Sequence, residues 1–189
     1  MQSASLAAVP IVSLCSGEGT LPRRSALDGR ALDLADPAVL AITDFTREYP
    51  VTVDAERPID DALSDMIHLG VRALLVSNGQ RLVGLVTSYD IQGEKPMQFL
   101  HSSTYSRHRD IRVMHVMTPW EHLLALEWSR VESACAGDLL RVFEETGLTH
   151  VLVIELDAKK STGVVRALAS RARLMRQLKG VRPRFSIGT

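Results

Sequence analysis

The strongest constraint in this chain is that it repeats itself. Residues 59–70 (IDDALSDMIHLG) align without a gap on residues 136–147 (AGDLLRVFEETG), 77 positions later. Asp61 falls on Asp138, Leu63 on Leu140, Met66 on Phe143 and Gly70 on Gly147. A repeat of this kind implies a small unit that cannot bury its apolar face alone and packs against its own second copy. Within the first copy, Ile59, Ala62, Leu63, Met66 and Ile67 fall at helical spacings on one face, and Gly70 stops the helix.

The flanking patterns extend the repeat. A short strand at Val51, Thr52 and Val53 precedes the helix, predicted over 58–69. A buried strand follows at 72–77, then a hairpin signal at Asn78-Gly79 and a return strand at 82–86. Thr87 opens a second helix, cut short by Gly93 and Pro96. The second copy reads as a strand at 123–126 with about four extra residues after it, the helix, strands at 148–154 and 163–165, and a closing helix at 168–178. The order β-α-β-β-α occurs twice. It predicts an α/β (α+β) fold of two units packed through their sheets with pseudo-two-fold symmetry, which 189 residues can accommodate. The expected organisation is a flexible lead-in at 1–36, a first unit at 37–100, a basic linker at 101–112, a second unit at 113–179 and a tail at 180–189. At 37–44 one or two helical turns are expected, with Asp36 as N-cap and Pro37 at the first helical position.

The informative segment for function is Gly84 to Asp90. Gly84 lets another backbone or a ligand approach the strand closely. Thr87 stands at a strand-to-helix junction, where its hydroxyl and the first helical N–H groups suit a phosphate. Asp90 lies one turn on, and an ionised carboxylate accepts the paired hydrogen bonds that a ribose diol donates. The same Thr-x-x-Asp spacing is also a capping box, and the residues alone leave both readings open.

In this arrangement the chain resembles the cystathionine-β-synthase (CBS) domain family, over roughly residues 44–179. CBS domains have the order β-α-β-β-α and occur in tandem pairs called Bateman modules. Gly84-Leu85-Val86-Thr87-Ser88-Tyr89-Asp90 matches the family's Gly-h-h-Thr/Ser-x-x-Asp ligand motif, where h is apolar. His115-Val116-Met117-Thr118-Pro119 resembles the lead-in common before a CBS repeat. The resemblance implies a regulatory module, with no required cofactor, that binds an adenosine-containing ligand such as AMP, ADP, ATP or S-adenosylmethionine. It implies base contacts along Val51, Thr52 and Val53, a phosphate contact at Arg72 and, in the second unit, at Thr149 or His150. It also implies a homodimer and a separate protein target for the signal. The bland alternatives are a surface charge for Arg72 and a core or rim histidine for His150.

The second copy departs from the motif. Aligning Gly163-Val164-Val165 on Gly84-Leu85-Val86 puts Arg166 at the place of Thr87 and Ala169 at that of Asp90. On that alignment the second site is either purely structural or uses Arg166 as a charged partner for a phosphate. The run Arg107-His108-Arg109 with Arg112 either adds charge to a site or is a solvated loop. Trp120 and Trp128 read as core or dimer-contact residues.

Composition narrows the rest. Lys plus Arg equals Asp plus Glu, 22 each, which gives no electrostatic case for a nucleic-acid partner. Two cysteines, Cys15 and Cys135, fit no zinc ligand set, and a reducing cytoplasm is the simpler compartment. Leu14 before Cys15, with no basic segment ahead of Pro10, argues against a cleaved leader. No apolar run is long enough to span a bilayer, so no membrane contact is expected. Phosphate-loop, zinc-protease and serine-nucleophile motifs do not occur, which predicts a binding protein with no catalytic residues and no metal. A structural pair with vestigial sites is the alternative.

Overall fold

The computed structural model describes residues 11–13, 31–102, 107–156 and 163–178. In chain order the elements are β1 (Ile11–Ser13), β2 (Ile42–Asp44), β3 (Thr52–Asp54), α1 (Ile59–Leu69), β4 (Ala73–Asn78), β5 (Arg81–Thr87), α2 (Ser88–Gln92) and α3 (Lys95–Ser102). The second half continues with α4 (Val113–Val116), β6 (Thr118–Pro119), β7 (Leu124–Glu127), α5 (Trp128–Ser133), α6 (Ala136–Thr146), β8 (His150–Leu156), β9 (Gly163–Ser170) and α7 (Arg171–Gln177).

The predicted repeat organises the fold. Helices α1 and α6 end at Gly70 and Gly147, whose φ values of 67° and 69° lie in the left-handed region that glycine enters without a Cβ penalty. After each helix a strand pair forms. Strands β4 and β5 pair antiparallel with β3 parallel on the other side of β4; β8, β9 and β7 repeat this. Both hairpins shift register at corresponding places, between Val76 and Ser77 and between Val153 and Ile154.

Strands β4 and β8 are apolar on both faces because both faces are covered. Leu74 and Val76 join the first helix-side core with Ile59, Ala62 and Met66. Ala73 and Leu75 point the other way, into a core between the sheets that also holds Leu152 and Ile154. Val151 and Val153 face α6, packing with Phe143. The two units therefore meet through their sheets over one shared apolar layer.

Each unit also completes the other's sheet. Strand β2, ahead of the first unit, pairs with β9 of the second. Strand β6, ahead of the second unit, pairs with β5 of the first. The sheet orders are β3-β4-β5-β6 and β1-β7-β8-β9-β2.

Several sequence expectations are corrected. Residues Ile11–Ser13, expected in a flexible lead-in, form a strand against β7, and Leu32 is buried with its N–H bonded to the Gln177 carbonyl. The expected turns at 37–44 are a 3-10 turn over Ala38–Leu40 with Pro37 as the N-cap, followed by β2. The first strand runs over Thr52–Asp54, so Val51 lies just outside it, with its carbonyl bonded to the Leu75 N–H. Ile67 is exposed, because it lies at the edge of the α1 stripe, away from Ile59 and Met66. The hairpin loop is Gly79-Gln80, with only Gly79 at positive φ. The extra residues after the second unit's first strand are α5.

The linker and the second-unit boundary also differ from expectation. Helix α3 occupies part of the linker region, and Ile111, Val113 and Val116 pack into the first unit's helix-side core. The tail at 180–189 and Cys15 lie outside the described residues. Cys135 is the N-cap of α6, where its backbone N–H and its thiol both donate to Asp138. Among the described residues no helix is long and apolar enough to cross a membrane.

Candidate functional site

The β9 register moves the second unit's motif. Residues 168 and 169 are predicted as the start of a helix because leucine and alanine favour one, but they are held as strand by pairing with β8 on one side and β2 on the other. Thr87 sits opposite Ala73 and caps α2; Ser170 sits opposite His150, the counterpart of Ala73, at the N-cap position of α7. The true counterpart of Thr87 is thus Ser170, and that of Asp90 is Arg173. Gly84 matches Ala167, and Arg166 matches Val83.

Arg166 has another occupation. Its Nε donates to Asp44 at 3.2 Å, its Nη1 to Glu155 at 3.2 Å, and its guanidinium lies over the Trp128 ring at 4.4 Å. Burial alone would raise the Asp44 pKa, but hydrogen bonds from Thr46 and the charge of Arg166 outweigh it and hold the carboxyl below its ordinary value. Arg166 is a clamp between the lead-in strand and the second sheet, against the ligand role expected for it. Trp120 lies in the core between the sheets.

Thr87 and Asp90 meet as the sequence suggests, but on each other. The Thr87 N–H and hydroxyl both donate to Asp90 Oδ2, at 2.8 and 2.7 Å, and the Asp90 N–H returns to the Thr87 hydroxyl at 3.3 Å. This is the full capping box. Lys95 Nζ reaches Asp90 Oδ1 at 2.6 Å and donates to the Val116 carbonyl at 3.0 Å. Both carboxylate oxygens are engaged. The close approach at Gly84 is by backbone: a Cβ there would stand 2.5 Å from the Thr118 carbonyl oxygen of β6.

A cleft of about 210 Å³ opens between the two units on the other side of the pseudo-two-fold. From the first unit it takes Val51, Arg72, Ala73 and Leu75, and from the segment after β2 it takes Phe45, Glu48 and Tyr49. From the second it takes His150, Leu168, Ser170, Arg173 and Arg176. Thr87, Asp90, Arg166 and the linker residues Arg107, His108, Arg109 and Arg112 do not line it. Sequence reasoning placed Arg72, Val51 and His150 at a site but missed Arg173 and Ser170, because the β9 register was not visible. It also missed Arg176.

The cleft is cationic. Three arginines face it against one carboxylate, Glu48, which meets Arg173 Nη2 at 3.4 Å. Arg173 Nη1 also donates to the Thr43 hydroxyl at 2.9 Å. Arg72 and Arg176 make no ion pair with another described residue. Ser170 makes no side-chain cap bond, so its hydroxyl is not spent on α7. His150 is neutral at pH 7: burial lowers its pKa to about 4, with Arg72 adding and Asp90 opposing. Between the arginines, Phe45, Val51, Leu75 and Leu168 supply apolar wall. Such a site can bind a small anion with an apolar or planar extension. Among the described residues no cluster of three or more potential metal ligands occurs.

The sequence model of the CBS domain matches residues 42–94. The first unit is thus similar to a CBS domain. The described second half repeats its fold, and the whole is similar to solved CBS-pair structures. An uncharacterized conserved protein from Pyrococcus horikoshii matches at a TM-score of 0.53 and 20% identity, over 77% of this chain and 93% of that one. The CBS-pair protein CBSX2 of Arabidopsis thaliana, solved in complex with AMP, matches at 0.50 and 24% identity, over 75% and 93%. A further CBS-domain crystal structure matches at 0.50 and 21% identity, over 69% and 87%. These likenesses establish the CBS-pair fold. No curated protein matches the chain in sequence.

Proposed function

We propose that this CBS pair is a non-catalytic regulatory module whose ligand is an adenosine-class nucleoside phosphate, held in the cleft between its two units. The observation that carries this reading is the cleft itself: Arg72, Arg173 and Arg176 for phosphate, and Phe45, Leu75 and Leu168 for a base. Planar guanidinium groups match phosphate oxygens in pairs. The AMP complex of CBSX2 supports the class of ligand.

The location also suits signalling. A ligand there touches the first unit's β4 end and the second unit's α7 at once, so its binding energy depends on how the units sit. Only such differential affinity shifts a conformational or oligomeric equilibrium. A homodimer and a separate protein target are the proposed recipients of that shift.

The motif residues Thr87 and Asp90, with Gly84, Thr52 and Val53, are secondary in this reading. A ribose diol at Asp90 competes with Lys95 for Oδ1, since Oδ2 already accepts two hydrogen bonds from Thr87. That closed arrangement is what favours the alternative, a pair with vestigial sites. Thermal melts with AMP, ADP, ATP and S-adenosylmethionine decide between the two. A ligand at a hundred times its Kd stabilises the fold by about 2.7 kcal/mol. A shift with at least one nucleotide, lost in Arg72→Ala, supports binding; no shift with any of them in a well-folded sample supports the vestigial pair.

A further inference from the structure

We infer that the cleft selects its ligand by the phosphate chain and not by a sugar diol, because the pseudo-two-fold sets Arg173 where the other half sets Asp90. The inference rests on the cleft being a ligand site, as proposed above, and adds which part of a ligand it reads.

The equivalence comes from strand register and not from sequence similarity. Thr87 and Ser170 occupy matching places opposite Ala73 and His150, and Asp90 and Arg173 each lie three residues further on. A hydroxyl is kept at one position and the charge is inverted at the next. A carboxylate accepts hydrogen bonds from a diol. A guanidinium only donates, through five N–H groups, and offers a diol's hydroxyl protons nothing. It pairs instead with phosphate oxygens, two at a time.

The surroundings agree. Glu48 is the acid in the cleft, and it already meets Arg173. Among the described lining residues a diol therefore finds one carboxylate, for which Arg173 already competes. An anion finds Arg72 and Arg176 with no described counter-ion, the Ser170 hydroxyl free of its helix cap, and Arg173 held in place by Thr43. Size points the same way. The cleft encloses about 210 Å³, below the range of roughly 300–1,000 Å³ for sites that enclose a drug-sized molecule. Two or three linked phosphoryl groups take up much of it, which leaves a nucleoside attached to them only partial cover from the Phe45, Leu75 and Leu168 wall. The ligand class is thus a short polyphosphate chain, free or as the tail of a nucleotide.

The test is calorimetric titration of the whole chain at low ionic strength with inorganic pyrophosphate, ADP and adenosine. The expected result is that pyrophosphate and ADP bind with affinities within about tenfold of each other, and adenosine does not bind. Arg72→Ala and Arg173→Ala should each weaken pyrophosphate by about tenfold or more, the loss expected when a charge-assisted partner is removed. Arg72 has no described ion pair to break, so its variant keeps the test sound if Arg173→Ala disturbs the fold. Asp90→Ala should not weaken pyrophosphate binding, because it removes no donor from the cleft. If ADP binds and pyrophosphate does not, or if adenosine alone accounts for the ADP affinity, the phosphate-chain inference fails while the nucleotide reading stands. If none of the three binds a folded sample, both fail.

Discussion

Gly84 gives the sharpest test of how the two units interlock. It lies on β5 opposite Pro119 of β6, and a Cβ built on it would stand 2.5 Å from the Thr118 carbonyl oxygen, 3.0 Å from Met117 Sδ and 3.3 Å from the Thr118 carbonyl carbon. The nearest of these is backbone, which has no rotamer to retreat into. For Gly84→Ala, β6 must move by close to an ångström or part from β5. Overpacking of this kind costs about 1–3 kcal/mol. The smaller entropy of an unfolded alanine returns about 0.4–1 kcal/mol. The expected net loss is about 1–2 kcal/mol, read as a lower urea midpoint and a Tm lowered by roughly 2–8 °C for a chain of this size. Gly163→Ala is the internal control. The nearest described atoms to its Cβ would be Ile154 and Leu156 side-chain carbons at 3.6–3.7 Å, so it should change stability by less than about 0.5 kcal/mol or raise it slightly. A Gly84→Ala protein as stable as the parent would refute the reasoning, since β6 would then not be held where the contact requires.

Two further outcomes are expected. His150 has a folded-state pKa of about 4, below its ordinary 6.5, so the unfolded chain takes up the proton first as pH falls. Stability should therefore be full above about pH 6.5 and decline towards pH 4. The loss is on the order of 2 kcal/mol, below the full conversion of the shift because His150 keeps some exposure to water. Urea midpoints against pH for the parent and His150→Asn measure it, and parallel curves would contradict it. Arg166→Ala should cost about 1–2 kcal/mol by removing its pairs with Asp44 and Glu155 and its stacking on Trp128. It should leave nucleotide affinity unchanged, because Arg166 lies outside the cleft; calorimetry with AMP checks this, and a tenfold loss would return Arg166 to the site.

The helical parts of the fold were legible because they rest on local signals. The α1 and α6 stripes and the glycines at their ends were readable residue by residue. What was not legible depends on pairing between distant strands. Residues 168 and 169 carry helix-favouring side chains, and only β8 and β2 on either side make them a strand. That single error of element type shifted the second motif by four residues, hiding Ser170 and Arg173 and promoting Arg166. Residues 42–44 looked like helical turns for a similar reason: their partner, β9, is more than a hundred residues away. At the site, Thr87 and Asp90 were correctly seen as neighbours. Their spacing alone could not say that they bond to each other, nor that Lys95 closes the carboxylate.

The exchange of edge strands also fixes an order of events during synthesis. Strand β5 leaves the ribosome well before β6, so the nascent first sheet carries an uncovered edge for as long as residues 88–117 take to emerge. Strand β2 waits far longer, because its partner β9 ends only at Ser170, more than a hundred residues after it. Contacts this far apart in sequence are slow to form and leave strand edges open to strangers in the meantime. The burden on chaperones should therefore fall on the nascent chain and not on the finished protein.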